Sequence, residues 1–289
     1  METGKAYLDN LSTTPADPRV VEAMLPYFRD KFGNPVSFHQ WGDQASDAIE
    51  DSRAQLASLI NGEAEEIIFT SCGTEGNNLA IKGLAQRHQS KGKHIIVSSI
   101  EHFSILHPAR TMEKMGFEIT YLPVDEYGLV NPEQVRQSLR EDTILVSIMH
   151  ANSEVGTIQP IEEISRVVKE SQALFHTDAV ATAGTIPVDV KKLGVDALTL
   201  AGSQFHGPQG SGALWLRRSI PIDPLLEGGI QEGDKRSGTH NVPAIVGLGK
   251  AAELAQKEMT KRIKRITSLR DKLIEGITNG ISHSILTGH

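Results

Sequence analysis

Short apolar runs alternate with amphipathic segments between Ile67 and Leu216, and this alternation constrains the fold more than any other feature of the chain. The apolar runs are typical of buried strands, and they read EIIFTS, HIIVSS, EITYLPV, TILVSIMH, ALFHTDA, ALTLAG and GALWLRR. Between them lie the helical patterns GNNLAIKGLAQRHQ, HPARTMEKMG, NPEQVRQSLRE and IEEISRVVKESQ. Strands that alternate with helices form right-handed βαβ units. We therefore predict an α/β fold with a three-layer α/β/α large domain around a mostly parallel sheet.

The pattern changes after the last apolar run, which suggests a second domain. A glycine-rich stretch, EGGIQEGDKRSGTHN, precedes one long charged helix that we predict over Val242–Asn279. The final SHSILTGH is typical of a single strand, which makes a poor domain by itself. We predict an N-terminal segment at 1–31 that associates with a small domain, a large domain at 32–232, and at 233–289 a connector helix with the start of an incomplete C-terminal domain.

Length, charge and cysteine content narrow the class of protein. The chain has 289 residues, enough for a large core, and its net charge of −7 argues against a nucleic-acid-binding surface. No apolar run reaches membrane-spanning length, and the N-terminus lacks the pattern of a signal peptide. The single cysteine, Cys72, excludes an internal disulfide. We therefore expect a cytoplasmic protein with no membrane or nucleic-acid partner, and we predict no metal site.

Polar residues follow several predicted strands, at the edge where open parallel sheets bind ligands. In FTSCGTEGNNLAIKG, Gly73 and Thr74 begin a helix, whose backbone N–H groups form a ready anion site. The structural alternative is a helix cap made by Thr74 or Ser71. The sequence alone leaves both interpretations open.

Two further strand ends carry side chains suited to a flat ring. His102 follows a strand in HIIVSSIEHFSIL, where its imidazole either stacks on a ring or makes an ordinary loop hydrogen bond. Asp178 ends the apolar strand of ALFHTDAVATAG, where a buried carboxylate is costly unless it is paired. A protonated pyridine nitrogen is one such partner, and neighbouring N–H groups are the alternative.

Two loops complete the set of candidates. The strand end in SIMHANSEVG offers Asn152, Ser153 and Glu154, and the glycine-rich GGIQEGDKRSGTHN offers Arg236, Ser237 and Thr239. The second loop suits an anion, although it is also compatible with a simple turn.

The order and spacing of these elements resemble the cysteine desulfurases of the class V aminotransferase family, which have the type I pyridoxal-phosphate fold. The motifs that carry the resemblance span essentially the whole chain, and they read YLDNLSTTPADPRVVEAMLPYF, FGNPVSFHQWG, IIFTSCGTEGNNLAIKG, GKHIIVSSIEH, DTILVSIMHANSEVGTIQPI, HTDAVATAG, GPQGSGALWLR and RSGTHNVPAIVGLGKA.

The resemblance implies a role for each matching residue. Gly73 and Thr74 would contact the phosphate of the cofactor, and Asn152 would lie at the cofactor site. His102 would stack on the pyridine ring, and Asp178 would pair with the ring nitrogen. Thr239 would reach the phosphate in the neighbouring subunit, which implies a homodimer.

The chain departs from the family pattern at the catalytic position. The family's lysine, which holds pyridoxal phosphate as a Schiff base, is replaced by Gln204, whose amide nitrogen is neither basic nor nucleophilic. The cofactor loop has Ala201 and Ser203 in place of Ser and His, and Ser153 replaces an Asn that touches the ring and substrate. Ala181 replaces a Gln that bonds the phenolic oxygen. Family members also continue beyond residue 289, into a part that supplies a sulfur-accepting cysteine and a substrate-binding arginine.

Three functional hypotheses follow from the resemblance and the departures. The first is a sulfur-transfer protein that binds pyridoxal phosphate non-covalently and is impaired in catalysis. Its lineage converts L-cysteine to alanine and persulfide sulfur, for uses such as iron–sulfur cluster assembly. The second is a non-enzymatic paralogue that serves as a dimerising or partner-binding scaffold. The third is an active enzyme whose lysine and C-terminal half come from another chain. An iron–sulfur scaffold or a sulfur-acceptor protein is the expected partner.

Overall fold

A single seven-stranded sheet forms the centre of the molecule in the computed structural model, which describes residues 4–289. The order of strands is β1-β7-β6-β5-β4-β2-β3. Neighbouring strands from β3 to β6 are parallel, whereas β7 runs antiparallel to both β1 and β6. The strands are β1 Ile67–Thr70, β2 His94–Ser98, β3 Glu118–Leu122, β4 Thr143–Ser147, β5 Leu174–Asp178, β6 Ala197–Ala201 and β7 Gly212–Leu216. The predicted mostly parallel sheet is confirmed.

Helices connect the parallel strands and flank the sheet. A π-helical turn, Leu79–Gly83, joins α4 to α5 without a break. Short 3₁₀ turns occur at Ala64–Glu66, Gly202–Gln204 and Gln231–Asp234. The helices are α1 Pro18–Met24, α2 Pro26–Arg29, α3 Gln40–Leu59, α4 Gly73–Asn78, α5 Leu84–His88, α6 Phe103–Lys114, α7 Pro132–Ser138, α8 Ile161–Val168, α9 Val190–Leu193 and α10 Val242–Gly280.

Two hydrophobic clusters separate the sheet from its helical layers. One cluster includes Leu56 of α3, Ile164 of α8 and Leu248 of α10. The other cluster includes Leu84 of α5 and Ile105 of α6. Apart from the edge strand β3, the strands are buried on both faces because helices cover both, which is why their sequences are nearly continuous apolar runs. The predicted three-layer α/β/α architecture is confirmed.

The long helix α10 begins where the sequence predicts and ends one residue later, at Gly280. The Asn241 side chain caps its start by accepting a hydrogen bond from the Ala244 N–H at 3.2 Å. Close packing on α3 requires glycine at position 249, because a Cβ there would lie 2.6 Å from the Ser52 Cβ. The half of α10 near α3 is therefore buried, whereas Leu273 in the far half is exposed.

The expectation of a strand in the final SHSILTGH is wrong, since the described chain has no strand after Gly280. A strand needs a neighbour for its backbone hydrogen bonds, and this segment runs beside none. Instead, the His289 backbone N–H donates to Thr157 Oγ1 at 3.0 Å. The proposed domain boundaries stay a prediction. Among residues 4–289, no helix is both long enough and apolar enough to cross a membrane.

Candidate functional site

A cavity of about 580 Å³ opens where β1, β2, β4, β5 and β6 end. This is the edge at which open α/β sheets bind ligands. The structure brings together most of the predicted site residues in the cavity lining, namely Gly73, Thr74, His102, Ser153, Asp178, Ala181, Ser203 and Gln204. The structure thus places these residues in one cavity, while the role of each residue in binding stays a prediction.

Asn152 and the three candidates of the glycine-rich loop, Arg236, Ser237 and Thr239, do not line this cavity. Asn152 is buried in the adjacent turn, where its Oδ1 accepts hydrogen bonds from the Glu154 and Val155 N–H groups and its Nδ2 donates to the Ile100 carbonyl. These contacts give Asn152 a structural part in shaping the turn. Thr239 lies on the glycine-rich loop and is exposed to solvent.

The first turn of α4 forms one end of the cavity. Cys72 occupies the cap position in an extended conformation, and no side chain within residues 4–289 caps the turn. The structural alternative, a cap made by Thr74 or Ser71, is therefore not what the structure shows. Position 73 requires glycine, because a Cβ would lie 2.6 Å from the Val180 Cγ2. The turn thus presents backbone N–H groups to the cavity, which suits an anionic group such as a phosphate.

A buried carboxylate faces the cavity from the end of β5. Asp178 accepts hydrogen bonds from the Asn77 Nδ2 at 2.6 Å and from the Val180 N–H at 2.9 Å. Burial raises the pKa of the Asp178 carboxyl, although these two hydrogen bonds act in the opposite direction. No cation pairs with Asp178 among the described residues. A ligand with a protonated ring nitrogen would supply the missing partner.

Hydrogen bonds link Asp178 to His102 through two intermediate residues. Asn77 Nδ2 also donates to Ser104 Oγ at 2.8 Å, and Ser104 Oγ lies 2.7 Å from His102 Nδ1. The Ser104 backbone N–H donates to the same nitrogen at 3.1 Å. These contacts with Ser104 fix the orientation of the His102 ring. An imidazole fixed in this way is suited to stacking on a flat ring.

Gln204 lines the cavity from the 3₁₀ turn after β6 and is held by the N-terminal segment. Its Nε2 donates to the Ser12 carbonyl at 3.1 Å. The neighbouring Ser203 carbonyl accepts hydrogen bonds from both the N–H and the Oγ1 of Thr14, each at 2.8 Å. The segment at 11–13 therefore forms part of the cavity wall. Sequence reasoning missed this contact, because nothing in the local pattern of residues 11–14 indicates where that segment packs.

A second carboxyl group lies behind the cavity. Glu101 is buried, and its Oε1 accepts hydrogen bonds from Ser98 Oγ at 2.6 Å and from the Met149 N–H at 2.8 Å. Burial raises the pKa of Glu101 to about 8, and the nearby Asp178 charge acts in the same direction. Glu101 is therefore mainly protonated at neutral pH.

Asn77 and Ser104 are the functional candidates that the sequence analysis missed. A usable signal exists for Asn77, which lies three and four residues after Thr74 and Gly73 and so shares their face of the helix. No comparable signal exists for Ser104, because its side chain reaches Asn77 across two elements.

Comparison with known proteins agrees with this geometry. The family model described as aminotransferase class-V matches residues 6–287. The cysteine desulfurase IscS of Methanosarcina thermophila is 53% identical over 288 residues, which cover 100% of this chain and 71% of that protein. The cysteine desulfurase IscS of Dictyoglomus turgidum is 52% identical over 284 residues, which cover 98% of this chain and 72% of that protein.

Two solved structures also resemble the chain in fold and in sequence. A NifS-like protein superposes with a TM-score of 0.95 at 42% identity, covering 98% of this chain and 78% of that one. SspA in complex with cysteine superposes with a TM-score of 0.84 at 40% identity, covering 86% of this chain and 72% of that one.

Proposed function

The chain belongs to the class-V aminotransferase family and is related to its cysteine desulfurases, and from this premise we propose that it binds pyridoxal phosphate non-covalently as a sulfur-transfer protein. We propose further that Gln204 impairs its catalysis. L-cysteine is the substrate class that fits the related proteins, since one of the similar structures is of a complex with cysteine.

The single observation that carries this proposal is the buried Asp178 carboxylate at the cavity. Burying a carboxylate without a cation costs free energy. Pyridoxal phosphate has a ring nitrogen whose protonated, cationic form is stabilised beside a carboxylate. The Asn77 amide holds Asp178 at 2.6 Å, which fixes the direction in which the carboxylate points. This arrangement supports a pyridinium ligand better than it supports a neutral one.

The other residues of the cavity support the same ligand. The uncapped turn at Gly73 and Thr74 suits its phosphate, and the His102 imidazole, held by Ser104, suits stacking on its ring. When bound, pyridoxal phosphate supplies an electron sink for reactions at the substrate's α-carbon. The chain's own residues would bind and orient it, and Asp178 would hold the proton on the ring nitrogen.

Gln204 limits what this site does beyond binding. A carboxamide cannot form a covalent bond to an aldehyde and cannot take or give a proton at neutral pH. The residues that line the cavity within the described chain include neither lysine nor arginine. The proposed impairment therefore concerns both covalent attachment and proton transfer.

Titration of the purified chain with pyridoxal phosphate, followed by tryptophan fluorescence quenching or calorimetry, tests the proposal. We expect saturable 1:1 binding that Asp178→Asn weakens by a factor of about 10 to 100, since a charge-assisted hydrogen bond contributes about 1.5–3 kcal/mol. The Asp271→Asn substitution is the control and should leave the affinity unchanged, because the Asp271 side chain is 58% exposed and does not line the cavity. Binding that is insensitive to Asp178 contradicts the proposal.

We propose that the protein is a homodimer that passes sulfur to an acceptor protein or an iron–sulfur scaffold. Four large aromatic side chains between α2 and the first turn of α3 are exposed in the single chain, which supports an interface along this segment: Phe28, Phe32, Phe38 and Trp41. The exposed position of Thr239 is compatible with a contact to the neighbouring subunit's site.

The same exposed aromatic surface supports the alternative of a non-enzymatic scaffold. The two functions differ in their need for the cavity. If partner binding survives Asp178→Asn while pyridoxal phosphate fails to bind the parent chain, the scaffold function is favoured. If the partner is retained only with the cofactor present, the sulfur-transfer function is favoured.

A further inference from the structure

The charges of the cavity favour one chemical form of the cofactor over the other. Its titratable lining residues are Cys72, His102, Glu154 and Asp178, so the lining formed by residues 4–289 has two acidic side chains and neither lysine nor arginine. The nearby Arg236 is unavailable to balance them, because its Nε donates to Glu75 at 2.8 Å. Apart from the α4 turn, the cavity therefore has a negative electrostatic character.

The cavity also offers an amide oxygen that has no donor, at Gln204. Gln204 uses its Nε2 to donate to Ser12, and within residues 4–289 no group donates to its Oε1. Because Gln204 lines the cavity, its Oε1 can accept a hydrogen bond from an N–H group of a ligand.

From these observations we infer that the site binds pyridoxamine phosphate, the amine form, in preference to pyridoxal phosphate, the aldehyde form. The inference rests on the proposed cofactor site. The two ligands share the ring and the phosphate, and they differ in one substituent. The amine form carries an ammonium cation with three donors, whereas the aldehyde carries only an acceptor oxygen.

Gln204 is the residue that distinguishes the two forms. At this position the related enzymes have a lysine, which attracts an aldehyde covalently and repels an ammonium group. Glutamine removes both effects. It forms no covalent bond with an aldehyde and donates at most a neutral hydrogen bond to its oxygen, whereas its Oε1 accepts a charge-assisted hydrogen bond from an ammonium group. A charge-assisted hydrogen bond in a partly enclosed cavity gives about tenfold tighter binding.

Calorimetric titrations of the 289-residue chain at pH 7.5 with three ligands test the inference. The ligands are pyridoxamine phosphate, pyridoxal phosphate and 4-deoxypyridoxine phosphate, which lacks both substituents. We expect the amine form to bind about tenfold more tightly than either of the others. Equal affinities, or tighter binding of the aldehyde, overturn the inference but leave the proposed cofactor site standing. If none of the three binds, the proposed function fails as well.

Two variants assign the preference to the side chain at position 204. Gln204→Met has a similar length but no acceptor, and it should lose the tenfold advantage of the amine form while its affinity for 4-deoxypyridoxine phosphate stays within about twofold of that of the parent. Gln204→Lys should reverse the preference. Circular dichroism melting of each variant checks that the Ser12 contact is not needed for folding. Retention of the preference in folded Gln204→Met contradicts the assignment.

Discussion

Replacement of Glu232 by glutamine tests how the glycine-rich loop that carries Thr239 is held in place. The Glu232 carboxylate is almost completely buried. It accepts hydrogen bonds from the Arg53 guanidinium at 2.7 and 3.0 Å, from His240 Nε2 at 2.7 Å and from the Phe69 N–H at 2.8 Å. Glu232 also has a φ of 50°, in the left-handed region that non-glycine residues seldom adopt. These contacts must therefore offset a strained backbone.

The expected loss of stability follows from the pKa of this carboxyl. Burial alone would raise it, but the hydrogen bonds from His240 and Arg53 lower the pKa of Glu232 from 4.5 to about 2. At about 1.36 kcal/mol per pKa unit, the difference corresponds to about 3 kcal/mol, and removing one partner of a buried ion pair costs about 3–5 kcal/mol. We therefore expect Glu232→Gln to lower the free energy of unfolding by about 3 kcal/mol at pH 7.

The pH dependence has a definite sign. Because the folded-state pKa is depressed, the stabilisation is complete above about pH 4.5 and is lost as the pH falls from 4.5 towards 2. The difference in the free energy of unfolding between the parent and Glu232→Gln should therefore become smaller as the pH falls from 4.5 towards 2.

Urea denaturation followed by far-ultraviolet circular dichroism, at pH 7 and in steps down to pH 3, measures both effects. The control is Glu50→Gln, because Glu50 pairs with the same Arg53 but is 61% exposed. An exposed pair contributes about 0–1 kcal/mol, so this variant should be nearly as stable as the parent. Equal losses in the two variants, or a loss for Glu232→Gln that does not change with pH, refute the reasoning.

Three further predictions address the site and the assembly. Borohydride should not fix pyridoxal phosphate to the parent chain but should fix it to Gln204→Lys, as read by intact mass; fixation to the parent contradicts the role given to Gln204. Glu101→Gln should be more stable than the parent by about 2–5 kcal/mol at pH 8.5, because the pKa of Glu101 is raised from 4.5 to about 8 and the parent therefore loses stability as the pH rises through this range. If the variant is no more stable than the parent at pH 8.5, Glu101 is not buried as a neutral acid. Light scattering at micromolar concentration should show a dimer that Phe32→Ser weakens, and a monomeric parent contradicts the proposed interface.

Periodicity predicts the layers of the fold because each strand and helix carries its own burial pattern. The start of α10 is predicted correctly, since Asn241 and Pro243 mark a helix N-terminus locally. The conformation of the final segment, 281–289, is predicted incorrectly. Ile281 and Ile285 look like strand residues in the sequence, but no neighbouring strand is available to them. Pairing across the chain is the information that a local pattern lacks.

The same distinction applies to the cavity. Residues at or shortly after the carboxyl end of a strand, such as Asp178 and His102, are predicted because parallel strands bring these ends to one edge of the sheet. Asn152 is also at a strand end, yet its side chain is used within its own turn. The contacts of Asn77 and of the segment at 11–14 depend on tertiary packing, so the sequence gives at most a weak indication of them.

The backbone around Gln204 is built independently of the side chain at that position. The Gly202 N–H donates to the Ser211 carbonyl at 3.1 Å, and the Gly202 carbonyl accepts hydrogen bonds from Phe205 at 3.1 Å and Gly207 at 2.8 Å. Within residues 4–289, the Gln204 side chain makes a single hydrogen bond, to the N-terminal segment. Exchange of glutamine and lysine therefore requires no rearrangement of the turn. For this reason, differences between the parent and Gln204→Lys in covalent fixation and in cofactor preference report on the chemistry of one side chain rather than on a change of fold.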